Sequence, residues 1–321
     1  ALFFQQNEPR RKAVSVQHSE KSSQEIISGL TADPPHISPK YLYDELGSRL
    51  FTAITELPEY YPTRTEAQIL KRHSLEIKQA VGATSTLIDL GAGDGEKATA
   101  LFEPFQIKRY VAVDISAAFL QTSLARLQSR YPHVEMVAVE QDFSHSLHLP
   151  NEIGNDPRLF FYPGSSIGNF NPADALAFLQ RVRAACPNGR LLIGVDLIKP
   201  ADILERAYDD ALQVTAAFNR NILRHINQLA QTNFNLHEWR HIALFNADES
   251  RIEMHLEATR GTTVTWPNGQ RQFVAGERIH TENSYKWQTD AFATLLKQAG
   301  FNDCRHWSDD KNWFAVFVAQ A

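Results

Sequence analysis

Between Thr65 and Pro200 short, almost wholly apolar runs alternate with segments whose apolar positions recur every three or four residues. The runs Thr86–Leu90, Tyr110–Asp114, Val134–Glu140, Leu159–Tyr162 and Leu191–Asp196 predict strands. The periodic segments Glu66–Val81, Lys97–Phe102, Ala117–Arg130 and Asp174–Ala184 predict helices. Strands apolar on both faces and separated by helices predict a doubly wound α/β sheet with parallel strands. The first thirty or so residues are polar and weakly patterned. Pro34, Pro35, Pro39, Pro58 and Pro62 then punctuate helical stretches such as Tyr41–Thr55, so residues 1–64 read as an N-terminal helical segment. After Pro200 the pattern changes. Helices are expected at Asp202–Asp210 and Val214–Leu229, followed by strict alternation, as in Ile252–Leu256, that predicts an antiparallel sheet. Residues 201–286 therefore read as a smaller α+β insert. Residues 287–321 return to the principal domain of 65–200 through a helix at Thr289–Ala299, a break at Gly300 and a strand at Trp313–Val318 that closes the sheet as an antiparallel hairpin.

Composition narrows the chemistry. With 321 residues, 43% hydrophobic and 21% charged, the chain can bury a substantial core, which excludes general disorder. A net charge of -5 gives no basic footprint for a phosphate backbone, so a small molecule is expected rather than nucleic acid. No apolar run approaches a membrane span, and Ala1-Leu2-Phe3-Phe4 is too short for a signal-peptide core. Cys186 and Cys304 lack metal-ligand spacing and read as reduced thiols, so a cytoplasmic protein, expected to be a monomer, is the reading.

In a doubly wound sheet ligands gather at the carboxyl ends of the strands. Directly after Thr86–Leu90 stands Gly91-Ala92-Gly93-Asp94-Gly95, where glycines allow a sharp turn and close approach of backbone to ligand. Asp89 precedes the turn, and Asp114, about twenty residues on, stands where a ribose diol expects a carboxylate. The alternate-glycine spacing departs from GxGxxG, and Asp94 would repel a pyrophosphate. A cationic sulfonium and ammonium tolerate such acids, so S-adenosylmethionine is favoured over NAD. Asp142 can accept from an adenine amino group while Phe143 offers a neighbouring backbone N–H; a helix N-cap and a packed ring are the plainer alternatives. Within Gly164–Asn169, the Asn169 side-chain carbonyl could hold an amino nucleophile or serve only a turn.

Longer blocks carry a family resemblance. Lys40-Tyr41-Leu42-Tyr43-Asp44-Glu45-Leu46-Gly47-Ser48 and Leu57-Pro58-Glu59-Tyr60-Tyr61-Pro62-Thr63-Arg64-Thr65-Glu66 resemble the histidine Nα-methyltransferases of ergothioneine biosynthesis. So do Gly164–Asn169, Ala207–Asp210, Val214–Asn221, Arg251–Met254 and Thr281–Ser284, and the match extends from about Leu30 to the C-terminus. The resemblance implies a Rossmann-like class I methyltransferase sheet, with 1–64 and 201–286 forming the substrate-binding domain. It implies three successive methyl transfers from S-adenosylmethionine to the α-amino group of L-histidine, giving hercynine, with no metal. Gly91, Lys97, Asp114, Asp142 and Phe143 would then hold the cofactor, Lys97 pairing with its carboxylate. Tyr43, Tyr60, Asn169 and Tyr208 would surround the amino and carboxylate groups, with Tyr43 and Asn169 serving catalysis, and Met254 would wall the imidazole. Glu282 and Ser284 add an argument of their own, because residues two apart share one strand face and offer an acceptor and a hydroxyl to the two ring nitrogens; a polar outer strand face is the plainer alternative.

Rival readings remain in view. The same fold could take another α-amino acid, and a scaffold or sensor could keep the sheet without turnover. His237-Glu238-Trp239-Arg240-His241 matches the HExxH zinc-hydrolase pattern, although Ile242-Ala243-Leu244-Phe245 predicts entry into a strand rather than the required helix. His145 and His148, at helical spacing, read as a pair in a polar loop.

Overall fold

The structure is a computed structural model and describes residues 8–115, 117–144, 146–154 and 157–321. His145 and Ala1–Phe4 lie outside the described residues. The chain groups into two compact units, each treated by itself. One comprises residues up to Ile54 with Tyr208–Leu244 and Glu253–Glu282; the other comprises Thr55–Ala207, Phe245–Ile252 and Asn283–Ala321.

The larger unit holds a seven-stranded sheet. Its strands are β1 (Thr86–Leu90), β2 (Arg109–Asp114), β3 (Glu135–Glu140), β4 (Arg158–Tyr162), β5 (Arg190–Asp196), β11 (Asn302–Ser308) and β12 (Phe314–Gln320), in the order β11-β12-β5-β4-β1-β2-β3. β1 to β5 pair in parallel, whereas β12 runs antiparallel to β5 and β11 antiparallel to β12. Every residue of β1 is buried, as expected for a parallel strand covered on both faces. Two apolar clusters cover those faces, one containing Ile88, Val113, Phe178 and Phe292, the other Leu87, Tyr110, Phe102 and Val316. The strand order reverses between β1 and β4, which makes their carboxyl ends the ligand-binding crevice of such a sheet.

The expected helices form with shifted bounds. The stretch read as one helix, Glu66–Val81, divides into Tyr61–Arg72 and Ser74–Val81, broken at His73 (φ -104°, ψ 21°) where no glycine or proline marks the break. The Tyr41–Thr55 stretch is a 3-10 turn, Pro39–Leu42, followed by an α-helix, Glu45–Thr55. The polar N-terminal stretch is itself helical over Glu8–Thr31.

The remaining strands are β6 (Trp239–Asn246), β7 (Arg251–Ala258), β8 (Thr262–Trp266), β9 (Gly269–Phe273) and β10 (Arg278–Tyr285), forming a sheet of order β10-β7-β6 and the hairpin β8-β9. In the smaller unit the helix Val214–Ala230 is capped by Asp210, whose carboxylate accepts from Val214 N (2.9 Å) and Thr215 N (2.8 Å). Asn219 on that helix, fully buried, donates to His255 O (3.0 Å) and accepts from Thr281 Oγ1 (2.7 Å). Among the described residues no helix is long and apolar enough to cross a membrane.

Candidate active site

At the end of β1 the chain turns through Gly91 (φ 72°) and Gly95 (φ 71°), left-handed conformations that favour glycine. Crowding adds a second requirement at Gly95, where a Cβ would stand 2.7 Å from Leu127 Cδ1 and 3.0 Å from the Tyr110 hydroxyl. The turn is tied to β2. Gly91 N donates to Val113 O at 2.8 Å, and Gly93 N donates to Asp114 Oδ2 at 2.9 Å. Asp114 is thus brought to the glycine turn by the parallel register of β1 and β2. Phe143 is brought there too, its Cζ 3.6 Å from the position of a Cβ on Gly91, while its ring packs on Tyr162 and Phe178. The neighbouring Asp142 closes a local turn by accepting from Ser144 N at 3.0 Å.

Two acids shape this end of the sheet. Asp89, 2% exposed, accepts from Tyr110 Oη at 2.7 Å, and its Oδ1 has no hydrogen-bond partner among the described residues. Burial pushes its carboxyl up to about 7, and the charge of Asp114 acts in the same direction. Glu66, 2% exposed, accepts from Gly164 N with both oxygens (2.9 and 3.0 Å) and stands 3.5 Å from Lys97 Nζ. Burial raises its pKa, opposed by Lys97 and the Gly164 amide. Lys97 therefore reaches over the turn after β4: a Cβ on Gly164 would lie 2.9 Å from its Nζ.

That turn continues into the 3-10 segment Ser166–Asn169. Gly168 packs so closely on β10 that a Cβ there would meet Tyr285 O at 2.8 Å and Ser284 Oγ at 3.4 Å. The loop 163–169 accordingly borders Lys97 at Gly164 and Ser284 at Gly168, with Asn169 the next residue along the chain. Tyr60, 7% exposed, precedes the helix Tyr61–Arg72, its carbonyl accepting from Arg64 Nη1 at 3.1 Å.

Ser284 belongs to a buried polar network. Lys286 Nζ donates to Ser284 Oγ at 2.8 Å and pairs with Asp196 Oδ2 at 2.8 Å. Asp196, at the carboxyl end of β5, also accepts from Tyr61 Oη (2.7 Å) and Lys199 Nζ (2.6 Å), and its N–H donates to Ser165 Oγ (2.8 Å). Burial alone would raise the Asp196 carboxyl, but Lys286 and Lys199 outweigh it and hold it below the usual range. Burial brings Lys199 down to about 8.

In the smaller unit, Tyr43 packs edge-on to Phe51 (5.7 Å) and Phe218 (5.5 Å). Met254 is 1% exposed, its carbonyl accepting from Thr281 Oγ1 at 3.0 Å, so it stands beside the β10 segment that leads to Glu282, itself 7% exposed. The Tyr208 carbonyl accepts from His241 Nε2 at 2.8 Å.

The HExxH reading fails on geometry. His237 and Glu238 lie in a 3-10 turn and His241 in β6, so no helical face presents the two histidines together. Both ring nitrogens of His241 are engaged, by Asn219 and by the Tyr208 carbonyl, and Glu238 is held by Asn235, Arg260 and Thr262. A different trio carries metal-capable chemistry, Glu253, His255 and His280, whose candidate ligand atoms lie within 4.8 Å of one another. His255 Nε2 pairs with Glu253 Oε2 at 2.9 Å, its ring lies 4.9 Å from that of His280, and His280 Nε2 bonds the Glu282 carbonyl at 3.0 Å.

Sequence reasoning did not single out Glu66, Asp196, Lys199 or Lys286 for a role. The signal available was an acid at the end of β5 with Lys199 three residues on, but a buried charge declares itself only once its partner is known.

A family model described as a histidine-specific, S-adenosylmethionine-dependent methyltransferase matches residues 22–321. The histidine N-alpha-methyltransferase of Mycolicibacterium smegmatis is 40% identical over 308 residues, 94% of this chain and 95% of that protein. Ergothioneine biosynthesis protein 1 of Neurospora crassa is 32% identical over 86% of this chain, which spans 32% of that longer protein. A 4-dimethylallyltryptophan N-methyltransferase of Claviceps purpurea is 26% identical over 92% of this chain and 93% of that protein.

Proposed function

Because the chain belongs to the histidine-specific, S-adenosylmethionine-dependent methyltransferase family, we propose that it methylates the α-amino group of L-histidine three times, giving hercynine for ergothioneine biosynthesis in the cytoplasm. The observation that carries this reading is the loop 163–169, which borders Lys97 on the cofactor side and Ser284 on the acceptor side. A backbone cradle that a Cβ would fill and an acid hydrogen-bonded to its amide suit a cationic, ribose-bearing donor.

S-adenosylmethionine supplies the electrophilic methyl group. Gly91, Lys97, Asp114, Asp142 and Phe143 hold that donor: Asp114 takes the ribose hydroxyls, Phe143 borders the adenine and Lys97 meets the carboxylate. Glu66 keeps Lys97 directed across Gly164. On the acceptor side Asn169 and Tyr43 align the amine, Tyr60 and Tyr208 bracket the amino and carboxylate groups, Met254 walls the ring, and Glu282 with Ser284 takes the imidazole nitrogens. An in-line displacement needs alignment and a neutral amine, so the main task of these residues is positioning. Removal of the ammonium proton falls to Tyr43 or to water. As methyl groups accumulate, the tyrosine faces stabilise the growing cation by a modest cation–π attraction.

The Claviceps purpurea relative, named for a tryptophan derivative, gives the alternative of another amino acid its weight. Purified protein incubated with S-adenosylmethionine and a panel of free amino acids, followed by mass spectrometry, separates the two. Trimethylated histidine alone supports the proposal; methylation of another amino acid overturns the specificity and keeps the reaction class.

A further inference from the structure

Three ionisable groups lie buried behind Ser284. Lys286 and Asp196 have side chains 0% and 1% exposed, and Lys199 is 1% exposed. The Lys286 ammonium donates to Ser284 Oγ at 2.8 Å, and the Asp196 carboxylate that fixes it also receives Tyr61 and Lys199. The backbone confines Lys286 as well, its N–H donating to Ser250 O at 2.8 Å. A hydroxyl oxygen that accepts from an ammonium becomes a poorer acceptor for a second donor and a better donor of its own proton.

We propose that Lys286, anchored by Asp196, is a positioning residue that orients Ser284 as a hydrogen-bond donor, so that the acceptor imidazole is taken in its neutral form. This rests on the histidine reading above. Neutral imidazole carries one N–H and one lone pair, matching an acceptor at Glu282 and a donor at Ser284. Imidazolium would point a second N–H at an oxygen backed by a cation. The charged or titratable groups facing Lys286 include Asp196 at the end of β5, Lys199 after it and Tyr61 from its helix, with Asp309 acting on Lys199. Lys286 and Lys199 share the Asp196 carboxylate behind Ser284.

Hercynine tests this cleanly, because its trimethylammonium group does not titrate and the imidazole is its only group that changes charge near neutrality. Its affinity for the protein with S-adenosylhomocysteine present, measured by calorimetry from pH 5.5 to 8, is expected to be flat above about 6.5 and to fall about tenfold per pH unit below it. Lys286→Met is expected to flatten that slope, to raise the histidine KM about tenfold and to leave S-adenosylmethionine affinity within about twofold. Lys286→Arg restores the slope. In a Ser284→Ala background Lys286→Met should add less than about twofold.

A pH-independent wild-type affinity, or additive effects of the two substitutions, overturns the proposal. If Lys286→Met does not fold, the wild-type titration decides alone. Wild-type protein that fails to methylate histidine, or Ser284→Ala that leaves its KM unchanged, overturns the histidine reading instead.

Discussion

The turn after β1 and the end of β10, which the proposed function assigns to the donor and the acceptor, are built in opposite ways. The turn is local: Gly91 to Gly95 lie within five residues, and their fold is fixed by backbone conformation and by the adjacent strand β2. Ser284 is fixed by Lys286 two residues on, itself held by the distant Asp196 of β5, and by the loop around Gly168. A local turn tolerates little change but can be read from contiguous sequence. A dispersed polar network is set by its buried partners.

The largest effect is expected of Gly95→Val, in the local turn. It forces a Cβ into Leu127 and Tyr110 at a left-handed φ of 71°, and is expected to cost about 2–4 kcal/mol of stability and abolish measurable cofactor binding. Thermal melts with and without S-adenosylmethionine check both effects; an unperturbed melt would mean that the turn relaxes more easily than its contacts indicate.

Asn169→Ala comes next. Turnover and histidine affinity together should fall about a hundredfold while calorimetry finds S-adenosylmethionine affinity within about twofold. Equal losses for both ligands would erase the division between donor and acceptor sides. Glu282→Ala is expected to lower the preference for histidine over other amino acids about 10- to 100-fold, because a buried acceptor penalises side chains without a matching donor. Competition assays with paired amino acids measure that ratio directly.

The smallest effect concerns pH and the turn alone. Asp89 is raised from 3.8 to about 7 by burial, so the folded state holds its proton more tightly than the unfolded chain. Its contribution to stability is fully present below about 4, declines as pH rises toward 7 and is constant above. Asp89→Asn should flatten that decline in Tm while leaving any pH dependence of hercynine binding intact.

The β1 turn, the five parallel strands and the antiparallel return of β12 were legible because apolar runs, periodicity and glycine spacing are properties of contiguous sequence. Other elements were not. The Glu8–Thr31 helix offers few apolar positions, although Ile26 and Leu30 bury at 1% and 0%. The break at His73 leaves no residue-type marker, and the edge strand β11 exposes most of its side chains. At the candidate site, Gly91, Asp114 and Phe143 follow from strand-end logic, whereas Tyr43, Tyr208 and Met254 were reached only through family resemblance, since an aromatic or methionine in a buried segment is most often core. Lys286 and Asp196 escaped both routes because a charge acquires meaning from its partner, and theirs lie far apart in sequence.

The most direct test is to supply limiting L-histidine with excess S-adenosylmethionine and count S-adenosylhomocysteine formed per histidine consumed while following the product mass. Three equivalents and a trimethylated α-amine with both ring nitrogens unmodified are expected. A single equivalent, methylation on the imidazole, or no consumption of histidine would contradict the proposed function.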